Sequence, residues 1–239
     1  MSGPGSFGSA LVLFAHPDDA EFMCGGTIAR WANDGCAIHY VVCTDGSAGS
    51  NERGKGRDVM RPIREAEQRA AADVLGVKTV TFLGEVDGFL DVTPETRKKV
   101  TREVRRLRPD VIVAPDPARL FFAAAYVNHW DHKQAGLLAL TAVMPDAPTR
   151  VMFQELEDEG IEPFEPPNLW LVSDDADTFV DITDTIETKL EALAQHVSQG
   201  AEAAAPRVRE RAAALGEASG RGYAYAEGFK AFRFVDDEG

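Results

Sequence analysis

The run ALVLFA at 10–15 is apolar at every position, the pattern of a strand covered on both faces of a parallel sheet rather than one with a wet side. It breaks off at His16-Pro17-Asp18-Asp19. Residues 22–32 then carry apolar side chains at helical spacing as far as Asn33-Asp34-Gly35, AIHYVVCT at 37–44 predicts a second strand, and 45–56 form a Gly/Ser-rich loop. Strand, helix and strand in that order imply a right-handed crossover. The alternation continues with a helix over 64–75, a strand over 78–83, a helix over 94–107, a strand DVIVAP ending at Pro115 and a helix from Asp131 to Met144. Beyond it come a strand at 168–173, a helix over 182–197 stopped by Gly200, and an Ala/Glu/Arg-rich stretch at 201–215 that turns helical at Pro206. The pattern predicts an α/β fold with a mostly parallel sheet, one domain over 1–239, and a flexible start at 1–8.

With 239 residues, 44% hydrophobic and 27% charged, the chain can close one substantial core. Lys and Arg total 25 against 39 for Asp and Glu, a formal charge of −14 that opposes a grip on nucleic acid or on an anionic membrane. Cys24, Cys36 and Cys43 form no C-x-x-C pair, and their odd number fits a reducing cytoplasm. The opening MSGPGSFG lacks the basic and apolar segments of an export signal, and no apolar stretch approaches the ~20 residues of a spanning helix. A cytoplasmic protein without membrane insertion is expected, and a homo-oligomer is compatible with the chain.

Open parallel sheets bind ligands beyond the carboxyl ends of their strands, so the polar residues after each apolar run carry the candidate chemistry. Two segments stand out there: His16 to Asp19 after the first strand, and Asn128-His129-Trp130-Asp131-His132 after the strand at 110–115. Two imidazoles and a carboxylate suit a catalytic divalent metal, and His16, Asp19 and His132 can supply them. Asp18 is then the spare carboxylate able to take a proton from water, and His129, three residues before His132, can address a developing oxyanion. Asp131 either orients one of the rings or caps the following helix. A turn and a helix cap explain each segment taken singly, but two acids buried side by side without a cation cost several kcal/mol.

The motif A-H-P-D-D at Ala15 to Asp19, the motif H-x-D-H at His129 to His132, and RPIREAEQRAAADVLGV between them resemble the LmbE-like, or PIG-L, family of metal-dependent N-deacetylases. The resemblance runs from about Leu11 to Gly136 and continues weakly into YAYAEGFKAFRF. It implies a Rossmann-like three-layer α/β/α sandwich and Zn2+, with Fe2+ or another divalent metal as alternatives, held by His16, Asp19 and His132. It also implies Asp18 as general base and then acid, His129 stabilising a tetrahedral intermediate, Asp131 supporting it, and Arg64 and Asp87 near the substrate. That substrate is expected to be a small N-acylated molecule, an amino sugar or glycoconjugate. Two departures bear on it: Ala20 stands where the family often has an acid, and Asn128-His129-Trp130 replaces Arg-His-Pro, which makes Trp130 a candidate substrate contact.

Tyr126 is either core or a phenol facing substrate, and LFFAAAY at 120–126 could form an apolar wall beside it. Gly49-x4-Gly54-Lys55 nearly spells a phosphate loop, but Gly56 stands where a metal-binding hydroxyl is needed, so 46–56 reads better as a flap. His39 reads as structural, His196 as solvated on a polar helix face, Cys24 as core, and the terminal Asp-Asp-Glu as solvated. Two other classes are compatible with the metal residues. One is a non-haem iron oxygenase, commonly built on an all-β frame, and the other a binding protein whose metal is structural.

Overall fold

The computed structural model describes residues 7–122 and 126–234. Its elements, in chain order, are β1 (Ser9–Phe14), α1 (Asp19–Asn33), β2 (Ala37–Thr44), α2 (Arg57–Leu75), β3 (Thr79–Glu85), α3 (Pro94–Leu107) and β4 (Val111–Pro115). There follow a two-stranded ribbon of β5 (Phe121–Phe122) and β6 (Tyr126–Val127), then α4 (Trp130–Thr141), a π turn at Ala142–Asp146 and the short α5 (Glu155–Asp158). The last part holds β7 (Asn168–Val172), β8 (Thr178–Asp181), α6 (Ile186–Ala194), 3-10 turns at Val197–Gln199 and Ala201–Ala204, α7 (Ala205–Ala218) and β9 (Ala226–Arg233).

Seven strands form one sheet in the order β3-β2-β1-β4-β7-β9-β8. The first five are parallel, and β9 runs antiparallel to both β7 and β8. The all-apolar β1 lies at the centre because both its faces are covered. Ala10, Val12 and Phe14 enter a cluster completed by Ile28 of α1, Leu75 of α2 and Ile186 of α6. Leu11 and Leu13 enter the opposite cluster with Val104 of α3 and Leu138 of α4. That two-faced packing is the three-layer α/β/α sandwich expected from the sequence, and it is not the all-β frame of the oxygenase reading. No helix among the described residues is long and apolar enough to cross a membrane.

Several boundaries differ from the sequence reading. α2 begins seven residues before 64, because the added turns are mostly exposed and contain Pro62, so neither apolar periodicity nor propensity marks them. The helix expected over 182–197 shrinks to Ile186–Ala194. The antiparallel edge, β8 and β9, has no clear strand signal in the sequence: buried Glu227 and Gly228 interrupt the apolar pattern of β9. The residues at 1–6, 123–125 and 235–239 lie outside the described ones, and with them most of the expected flexible start, the centre of the LFFAAAY wall and the terminal acidic run.

The chain leaves β1 to one side for β2 and later returns on its other side as β4, so the strand order reverses around β1. A crevice forms at the carboxyl ends at such a switch point.

Candidate active site

Four of the five parallel strands, β1 to β4, deliver polar residues to that crevice. After β1, His16 is followed by Asp18, whose φ of 97° lies in the left-handed region, and by Asp19, the first residue of α1. The His16 backbone N–H donates to Asp19 Oδ2 at 2.8 Å, folding the carboxylate back under the imidazole. After β2, Asp45 Oδ1 accepts from the backbone of Ser47 and of Asp87, tying the β2 loop to the one after β3. After β4, His129 caps α4, its Nδ1 accepting from the Asp131 N–H at 3.2 Å. α4 can lie against the end of β4 because residue 136 is glycine, where a Cβ would stand 2.5 Å from the Pro115 carbonyl oxygen.

Three ligand atoms converge. His16 Nδ1 lies 3.3 Å from His132 Nε2 and 3.4 Å from Asp19 Oδ2, and His132 Nε2 lies 3.0 Å from Asp19 Oδ1. A tetrahedral ion with bonds of about 2.0–2.1 Å holds its ligands about 3.3–3.4 Å apart, so one ion fits between these atoms with little movement. The outer nitrogens agree. His16 Nε2 lies 3.2 Å from both Asp87 Oδ1 and Asp131 Oδ2, and His132 Nδ1 lies 2.8 Å from Asn128 Oδ1. Those oxygens can only accept, so the protons sit on the outer nitrogens and the inner lone pairs face the centre. His16, Asp87, His129 and Asp131 also approach one another closely, but there the acids serve the ring of His16, not a second ion. Asp131 orients rather than caps: its carboxylate accepts from the backbone of Gly88 at 2.7 Å and Leu90 at 3.2 Å as well as facing His16, while the cap falls to His129.

The charges call for a cation. Four carboxylates meet here: Arg64 Nη2 is 3.1 Å from Asp18 Oδ2 and its Nη1 is 3.6 Å from Asp87 Oδ2, while Asp19 and Asp131 face imidazole nitrogens. Burial works to lower the pKa of His16, yet the carboxylates, Asp19 foremost, hold it well above its usual value. Burial works to raise Asp19, but His132 and His16 pull it well below the carboxylate range, and Asp87 falls to about 2, its burial outweighed chiefly by His16. Asp18 goes the other way. Burial pushes it up to about 6, Arg64 opposing and Asp19 assisting. His129 is lowered by burial and by His16, so its ring is neutral near pH 7; with Nδ1 accepting from Asp131, its proton sits on Nε2 as a free donor.

These groups line a cavity of about 300 Å³ that takes in His16, Asp18, Asp19, Arg64, Asp87, Tyr126, His129 and His132 together. Tyr126 stands at its rim, 58% exposed. Trp130 is not part of the lining; it turns outward, its indole N–H donating to the Leu90 carbonyl at 3.2 Å, with Lys133 over its ring. Ala48 and Gly49 of the 46–56 loop also line the cavity, as does Gln199, which arrives from the far end of the chain with nothing in its local sequence to mark it. The loop 46–56 borders the site, its Gly46 and Gly49 packed against Arg64. His196 is a correction: it is 0% exposed, beyond α6 and behind the site, because the helix ends three residues earlier than its periodicity suggested. Cys24 is core, and His39 pairs with Thr79 across two strands at 2.8 Å.

Comparison with known proteins places the same residues in a family. Residues 11–143, spanning all the cavity-lining groups except Gln199, match the family profile described as GlcNAc-PI de-N-acetylase, or PIG-L. The diacetylchitobiose deacetylase of Thermococcus kodakarensis is 31% identical over 228 residues, covering 92% of this chain and 81% of that protein. Among solved structures, the N,N'-diacetylchitobiose deacetylase of Pyrococcus horikoshii, in complex with its inhibitor MPG, superposes with a TM-score of 0.87 at 31% identity, over 95% of this chain and 84% of that one. GalB, the 4-carboxy-2-hydroxymuconate hydratase of Pseudomonas putida KT2440, superposes with a TM-score of 0.79 at 25% identity, over 96% and 98%. A profile match over more than half of the chain and an enzyme relative similar along nearly its whole length agree with the convergence of His16, Asp19 and His132: the chain belongs to the PIG-L, or LmbE-like, family.

Proposed function

We propose that this chain is a metal-dependent hydrolase that removes the acetyl group from the amide nitrogen of an amino sugar or glycoconjugate, acting as one catalytic domain. The observation that carries this reading is the pairing of three converging ligand atoms with a spare carboxylate, Asp18, that burial holds near pH 6. Similarity to the two chitobiose deacetylases supports the substrate class. A divalent cation between His16, Asp19 and His132, zinc in the first instance and ferrous iron as the alternative, would lower the pKa of a water and polarise the amide carbonyl.

The chain's own residues do the rest. Asp18, ionised at neutral pH, takes the proton of the attacking water and returns it to the departing amine nitrogen; a pKa near the working pH suits both transfers. His129 Nε2–H, donated from a neutral ring, meets the negative charge that grows on the carbonyl oxygen. Arg64 holds the Asp18 carboxylate from behind and balances its charge, and Asp131 and Asp87 keep the His16 ring in register. Asp87, Tyr126 and Gln199 stand where sugar hydroxyls would lie.

The test is acetate and free-amine release from N,N'-diacetylchitobiose and N-acetylglucosamine by the purified protein, with chelation and Zn2+ or Fe2+ restoration. Release that stops with chelator and returns with one metal is expected; no acetate from any N-acetylated amino sugar rejects the proposal. The hydratase neighbour favours one second reading, water addition to a carbon–carbon double bond, which would consume 4-carboxy-2-hydroxymuconate without releasing acetate.

A further inference from the structure

Behind the cavity lie three polar residues that the reaction above does not use. Glu21 and His196 are 0% exposed and Gln68 is 1% exposed, and they come from α1, from the bend after α6, and from α2. Gln68 joins them to the site. Its side-chain oxygen accepts from the Asp18 backbone N–H at 2.9 Å, and its amide nitrogen donates to Glu21 Oε1 at 2.9 Å. A backbone N–H can only donate and a carboxylate can only accept, so a flipped amide would lose both bonds. His196 Nε2 stands 3.3 Å from the other oxygen of Glu21, at ion-pair distance although outside hydrogen-bond alignment. The turn that follows His196 is fastened to α2 in its own right, since Glu67 accepts from both the backbone and the hydroxyl of Ser198 at 2.7 Å.

What this row of residues touches is strained. Asp18 is a non-glycine residue at φ 97°, ψ −25°, a strained conformation that persists only where its surroundings impose it. Two groups on α2 impose it. Arg64 and Gln68 lie four residues apart, hence on one face of the helix, and Arg64 takes the side chain of Asp18 while Gln68 takes its backbone. Because φ sets the direction of the side chain relative to the N–H, a change to negative φ would leave the Gln68 bond to the backbone and the Arg64 bond to the carboxylate unable to form together.

We propose that Gln68, its amide oriented by Glu21 and backed by His196, is a positioning residue that locks the Asp18 backbone in the conformation from which its carboxylate can exchange protons with water and amine. The inference rests on the reading of Asp18 as proton carrier. His196 lies outside the 11–143 segment shared with the family profile, so this support is drawn from the C-terminal part of the chain.

Gln68→Met keeps the length of the side chain and removes both bonds. The expected result is a fall in kcat of about ten-fold or more with KM within about two-fold and unchanged metal per chain, because displacing a reacting group costs rate before it costs binding. A crystal structure of the variant is expected to show Asp18 away from positive φ. If Gln68→Met does not fold, the donor–acceptor swap decides. Gln68→Glu alone sets two carboxylates against each other and should lose kcat by a similar factor. The double variant Glu21→Gln/Gln68→Glu restores one donor facing one acceptor and should recover kcat to within about three-fold of wild type. A packing role predicts neither the loss in Gln68→Met nor the recovery in the swap. Wild-type kcat in Gln68→Met, or a double variant no better than Gln68→Glu, overturns the inference. If the wild-type protein itself releases no acetate, the deacetylase reading fails, and the φ of Asp18 in Gln68→Met still decides this one.

Discussion

Two buried charged clusters flank α1, and they differ in how their charges close. Lys189 and Glu227 pair at 2.6 Å, 3% exposed each; Glu227 also accepts from the backbone of Gly26 and Thr27, and Lys189 donates to the Phe22 carbonyl. One positive charge meets one negative, and nothing remains for a further ion although a cavity of about 250 Å³ adjoins the pair. At the other cluster, one guanidinium serves two carboxylates, Asp18 and Asp87, two more, Asp19 and Asp131, face imidazoles, and two imidazole nitrogens point at the same spot as Asp19. Burial is common to both clusters. Residual charge and converging lone pairs are what separate a site from a strut, since an unbalanced buried charge is costly unless a cation arrives.

Perturbing each cluster should expose that difference. The largest effect is expected from His132→Ala or from chelation: loss of bound metal by elemental analysis and a fall in turnover to background, with retained stoichiometry excluding His132 as a ligand. Asp18→Asn should keep the metal and lose about 10²–10⁴-fold in kcat. For His129→Ala the loss should be about 10²–10³-fold in kcat with metal retained, the amount one oxyanion donor contributes. Lys189→Met, which leaves Glu227 buried without its counter-charge, should cost about 3–5 kcal/mol in urea unfolding while kcat per folded molecule stays at the wild-type value. An equal loss of turnover there would dissolve the contrast between the clusters. The mildest test is pH. Asp18 is raised to about 6, so its base form grows as pH climbs through that value; kcat/KM should rise with pH on a limb centred at or below pH 6, lower to the extent that a bound cation favours the carboxylate, and Asp18→Asn should abolish the limb.

The residues of the site were legible to the extent that chemistry sits next to strand ends. ALVLFA declared a central strand because both its neighbours and both its faces are protein, and the acids and imidazoles following β1 and preceding α4 followed directly from where such strands terminate. The direction of Trp130 was not legible, because sequence adjacency to His129 says nothing about it: on α4 the indole N–H points toward the Leu90 carbonyl. His196 looked like a surface residue because helical periodicity assumes a continuing helix, and the chain bends after Ala194. β9 hid its strand character behind Glu227, a charge that makes sense only opposite Lys189, thirty-eight residues away.

The alternation of buried strands and amphipathic helices, the two polar segments and the kinds of ligand they offer are written in the order of residues, because they depend on local periodicity and side-chain chemistry. Which nitrogen of each imidazole faces inward, that Asp131 steadies His16 while His129 caps its own helix, and that Gln68, Glu21, His196 and Gln199 stand around the site emerge only in the folded chain. Those assignments depend on contacts between residues up to 175 positions apart, as between Glu21 and His196, and such contacts exist only once the sheet has brought its strand ends and their flanking helices together.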